Sequence, residues 1–108
     1  MKTDRELLVD AARAAGIGLV AWTKFFDEWK FACNPCGEPW NPLIEDGDAF
    51  QLAVKLNMTI RCYGGNTCAQ TTTPGGPSVS VDEMNLADPC AATRRAIVRA
   101  AAEIGGAA

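Results

Sequence analysis

A single α+β domain is what this chain predicts, on three observations. Segments of helical period with clear start signals lie near both ends and in the middle. Short aromatic-rich or alternating runs separate them, and Gly- and Pro-rich breaks fall between the runs. The predicted order is α-β-β-α-β-β-(β)-α with a mainly antiparallel sheet, in one domain covering residues 1–108. A chain of 108 residues with 48% hydrophobic residues can bury a core of its own.

The first helix is announced by Thr3-Asp-Arg-Glu6, a capping box in which hydroxyl and carboxylate satisfy open amides. Leu8, Ala11, Ala12 and Ala15 repeat at helical spacing, and Gly16 suits a left-handed stop. Residues 19–33 are rich in aromatic and branched side chains and favour a hairpin turning near Asp27. Trp22, Phe25, Phe26 and Trp29 also fall at helical intervals, so a helix stays open there. Residues 33–39, with two prolines and a glycine, read as a loop.

A second helix is predicted from Asp46, where carboxylates meet the positive end of the helix dipole. Its apolar arc carries Ala49, Phe50, Ala53, Val54 and Leu56, leaving Gln51 and Lys55 in water. Asn57 takes the left-handed exit. Met58, Ile60 and Cys62 alternate with polar residues as a half-buried strand, and Gly64-Gly65-Asn66 turns into a partner strand over 67–73. Ser78–Val81 reads as a short edge strand. Asp88 and Pro89 then open the last helix, and Gly105-Gly106 is read as its end. Ile97 and Ile104 are expected inside it, with Arg95 and Arg99 accessible.

Composition narrows the function classes. Ten Lys and Arg against thirteen Asp and Glu give a net charge of −3, the wrong sign for general duplex nucleic-acid binding. The chain has no histidine, which removes the usual general base and with it Ser-His-Asp and Cys-His catalysis. A non-enzymatic role without cofactor is the expectation. Apolar runs stop far short of the ~20 residues that cross a bilayer, and the charged start is unlike a secretory signal. A cytoplasmic site is therefore expected, with the five cysteines reduced.

Candidate sites each have a plain alternative. Cys33-Asn-Pro-Cys36 has the spacing of a metal knuckle or a redox pair, and a zinc site would need Cys62, Cys68 or Cys90 to complete it. Cys62 and Cys90 are expected on core faces, as small apolar residues. Glu45, Asp46 and Asp48 form an acidic cluster suited to magnesium or acid/base work, and better suited to capping the second helix. Arg94, Arg95 and Arg99 near a helix start suit a small anionic ligand, or simply a solvated stripe. Trp40, in a proline-rich loop beside Asn41, is the aromatic ring expected to stand exposed as a binding anchor.

Three stretches also carry a family likeness. They are the opening Thr3–Gly16 helix, Trp40-Asn-Pro-Leu-Ile-Glu-Asp-Gly-Asp48 with the helix that follows, and Asp88-Pro-Cys-Ala-Ala-Thr-Arg-Arg-Ala-Ile-Val-Arg-Ala-Ala-Ala-Glu-Ile-Gly105. In these the chain resembles the phage ABA-sandwich domain family, small phage and prophage accessory proteins of NinX-like type. The resemblance implies a small α/β/α sandwich and a phage origin, and carries over no activity or catalytic residues. The leading expectation is thus an accessory protein that binds a host protein, such as an antiviral defence component. A small-molecule binder sequestering a nucleotide signal, and a cysteine-metal module, are the alternatives.

Overall fold

The computed structural model describes the backbone of residues 3–16, 18–25, 28–34, 39–72, 78–84 and 88–106, and the side chains of 3–16, 40–71, 79–84 and 88–105. Helix α1 (Asp4–Ala15) begins at the expected capping box: the Glu6 amide donates to Thr3 Oγ1 while the Glu6 carboxylate accepts from the Thr3 amide. It ends at Gly16, whose φ of 71° is the left-handed conformation glycine adopts without a Cβ penalty.

Strands β1 (Gly18–Phe25) and β2 (Glu28–Asn34) resolve the ambiguous stretch as an antiparallel pair, with Trp22 opposite Phe31 and Lys24 opposite Trp29. β3 (Pro39–Trp40) adds a short third strand where a loop was expected; Phe31 faces Trp40 and Ala32 faces Pro39. A proline is tolerated there because β3 is an edge strand. Helix α2 (Asp46–Lys55) follows, and Asn57 leaves it at φ 54°. A second three-stranded sheet is a plain antiparallel meander of β4 (Met58–Tyr63), β5 (Asn66–Thr72) and β6 (Ser78–Met84). Helix α3 (Pro89–Gly106) closes the described chain; Asp88 caps it by accepting from the Ala91 amide at 3.0 Å.

The molecule is thus an α+β fold in the predicted order apart from the added β3, with its strands divided between two antiparallel sheets. Helix α3 is its centre. One arc, with Ile97, Val98 and Ala101, packs against Leu8, Ala11, Ala12 and Ala15 of α1, Leu52 of α2 and the Trp40 ring. Another, with Ala96 and Ala100, packs against Ala69, Val79 and Val81 of the second sheet. The many alanines of α3 suit it to two layers at once, because small side chains let neighbouring backbones approach on several sides. Ile97 is buried, Ile104 partly so, and the Arg95 and Arg99 side chains are 42% and 39% exposed.

Gly105 and Gly106 are the last two residues of α3, as expected, and Gly105 has a second role. It faces the α1 backbone: a Cβ there would fall on the carbonyl of Asp10 and 3.1 Å from the Ala14 amide nitrogen. The residue is a contact point between helices as well as part of the helix end.

The α3-facing side of the second sheet carries one flaw. Thr71 is 1% exposed, and its hydroxyl is the buried side-chain oxygen left without a partner among the described residues. Thr71→Val keeps the shape and removes the stranded group. It should raise stability by about 1 kcal/mol in urea denaturation; a loss of stability would mean that the hydroxyl is satisfied after all.

Candidate functional site

Two expected site residues prove structural. Trp40 is 6% exposed and lies in the main core, so it is no surface anchor. Asn41 is equally buried. Its side-chain oxygen accepts from the Leu43 amide at 2.9 Å, its amide donates to Asp48 Oδ2 at 2.9 Å, and its carbonyl accepts from the Ile44 and Glu45 amides. This Asx turn leads the chain into α2. The acidic cluster is therefore dispersed. Glu45 occupies the cap position without a side-chain cap bond, Asp48 holds Asn41, and Asp46 reaches α3. The dipole benefit of Asp46 and Asp48 in the first turn remains.

The arginines do not form an anion cluster. Arg95 Nη1 donates to Asp4 Oδ1 at 3.0 Å and its Nε lies 3.3 Å from Glu83 Oε1. Arg99 Nη1 donates to Glu83 Oε2 at 2.6 Å and to the Asp82 carbonyl at 3.3 Å. Glu83, with its side chain 19% exposed, thus stitches β6 to α3, and Arg95 continues the link to α1. The half-exposed arginines discount the value of this network. Glu83→Gln should cost about 1 kcal/mol in thermal unfolding and should narrow the gap between low and high salt. A variant with unchanged melting would show that the network is ornamental.

Arg94 has a different setting. Its side chain is only 17% exposed; Nε donates to the Leu43 carbonyl at 2.9 Å and Nη1 to Asp46 Oδ1 at 2.6 Å. It thereby ties the start of α3 to the start of α2, and it stands in the wall of a groove.

That groove, about 680 Å³, runs between α2 and α3 with β4 along it. Phe50, Ala53 and Val54 line one side, Met58 and Ile60 come from β4, and Ile97 from α3. Asp46 and Arg94 mark the end where α2 begins. The predicted apolar arc of α2 is here corrected: Ala49, Leu52 and Ala53 are buried, but Phe50 is 68% and Val54 60% exposed. The signal for it was present in the sequence. Phe50, Leu52, Ala53, Val54 and Leu56 are more apolar residues than one buried face of a short helix requires.

Among the described residues, Cys62 and Cys68 do not converge either. Cys62 pairs across the ladder with Thr67 and points to α3, its Sγ 3.9 Å from Thr93 Oγ1. Cys68 pairs with Arg61, on the opposite face, its Sγ 3.6 Å from Ser80 Oγ. Residues of opposite pleat cannot share an ion. Cys62 and Cys90 are also exposed, not in the core as expected. Cys33 lies in β2 and its side chain, like the whole of Cys36, falls outside the described residues. Among the described residues no group of His, Cys, Asp and Glu is gathered as for a metal, and no helix is long and apolar enough to cross a membrane.

No family model matches this chain, and no curated protein or solved structure is detectably similar to it.

Proposed function

We propose that this chain is a small, non-enzymatic phage or prophage accessory protein that acts by binding a host protein, a defence component being the leading candidate. The observation that carries the reading is the groove, with Phe50 and Val54 left in solvent on a helix whose other face is core. Large apolar side chains side by side at the mouth of a groove are the kind of surface that a partner covers. The likeness to phage ABA-sandwich proteins adds the phage origin and the host cytoplasm as the working site.

The test is a comparison of tagged protein with a Phe50→Ser/Val54→Ser variant, both expressed in the host and analysed by native mass spectrometry. A host protein held stoichiometrically by the parent and lost by the folded variant supports the reading. Equal retention, or no stoichiometric partner, overturns it.

A small-molecule role is favoured by one observation, the Arg94 guanidinium in the groove wall. The nucleotide form of that reading is weakened. Arg95 and Arg99 pair with Glu83 and are not in the groove lining, so among the described residues several phosphate charges would meet a single arginine there.

A further inference from the structure

We infer that the groove is a site for an amphiphilic monocarboxylate: an apolar chain laid against Ala53, Met58, Ile60 and Ile97, with its carboxylate on Arg94. The inference rests on the reading that this groove is the binding face, and specifies its chemistry. A guanidinium carries five N–H donors. Arg94 uses two of them, one on the Leu43 carbonyl and one on Asp46, so three have no partner among the described residues. Its side chain is 17% exposed, and it leaves no buried nitrogen without a partner, so the remaining donors stay open to the solvent where a carboxylate can reach them. The planar fork matches a carboxylate, which accepts two parallel bonds.

The walls decide the rest of the ligand. A volume of about 680 Å³ falls within the usual range for small-ligand sites, and mostly apolar walls with the charged pair Asp46 and Arg94 at one end and neutral Asn57 beyond the other fit an apolar body with one charged head. The head is singly charged because, among the described residues, Arg94 is the one arginine lining the groove while Asp46 already supplies a negative charge beside it. The Asp46 side chain is 78% exposed, so its carboxylate can swing into water and yield Arg94 to the incoming group. Asp46 is then an internal competitor of the ligand, which gives the idea a sharp signature.

Decanoate, decanol and decyltrimethylammonium are the probes, titrated below their aggregation limits and followed by NMR of the groove methyl groups and the Arg94 Nε. Decanoate should bind about tenfold more tightly than decanol, the size of one charge-assisted hydrogen bond. Arg94→Gln should erase that difference while leaving decanol where it was. Asp46→Asn should tighten decanoate binding severalfold and leave decanol unchanged. Because Arg94 also ties two helices, Asp46→Asn serves as the informative variant if Arg94→Gln fails to fold. Equal affinities for the acid and the alcohol, a preference for the ammonium probe, weaker decanoate binding in Asp46→Asn, or shifts scattered outside the groove would each overturn the inference. Phe50→Ser/Val54→Ser separates it from the broader proposal. Loss of the host partner with no decanoate preference in the parent sinks only the carboxylate. Decanoate binding in the groove with the host partner retained by the variant sinks only the partner surface.

Discussion

Gly105→Ala should destabilise the protein by about 3 kcal/mol or more, an unusual penalty for adding one methyl group inside a helix. Intrinsic propensity points the other way, since alanine favours a helix over glycine by about 1 kcal/mol. The contact across α1 decides the sign. A Cβ at this position would lie on the Asp10 carbonyl oxygen, 2.8 Å from the carbonyl carbon, and against the Ala14 amide. All three atoms are backbone, so no rotamer change relieves the clash. The helices must separate, and Ala11, Ala12 and Ala15 would lose contact with Val98 and Ala101 as they did. Urea denaturation of the purified variant reads the effect. Stability within 0.5 kcal/mol of the parent, roughly the scatter of neutral substitutions, would show that α1 and α3 are not in backbone contact there.

Gly105 also shows where sequence reasoning has a boundary. Glycine permits both a left-handed helix end and a close approach of two backbones, and the local pattern is the same in both cases. Gly16, preceded by a clean amphipathic run, was legible as an end and is one. Local signals of that kind served well throughout: the Thr3 capping box, the Asp88 cap and the left-handed Asn57 are interactions within four residues, written in adjacent letters. The groove and the ion pairs are a different matter. Arg95 finds Asp4 across 91 residues, and Arg94 finds Asp46 across 48. Spacing along α3 marked these arginines as a basic stripe, but only the fold brings carboxylates to them. Likewise, periodicity picked out Phe50 and Val54 as apolar, but whether another element would cover them depends on where α3 and β4 run. Trp40 erred in the opposite sense, because a proline-rich setting hid a short strand.

Leu8→Asp tests the other half of the architecture, and should abolish cooperative folding. Leu8 has no exposed surface and is among the largest fully buried side chains, in the cluster that joins α1 to α2, α3 and Trp40. The substitution removes a leucine worth about 2–5 kcal/mol as its alanine variant and adds the cost of an uncompensated buried carboxylate. The sum reaches the 5–15 kcal/mol by which natural domains are stable. Leu8→Ala is the graded control. It should stay folded, melt lower by roughly 10 °C or more, and keep the far-ultraviolet circular dichroism of the parent. The apolar contact of α1 with the rest of the core includes this side chain's neighbours: Ala11 and Ala15 one turn and two turns on, Val98 and Ala101 across the interface. A Leu8→Asp protein with a parent-like melting transition would place α1 outside the core, and the Gly105 contact could not then be right either.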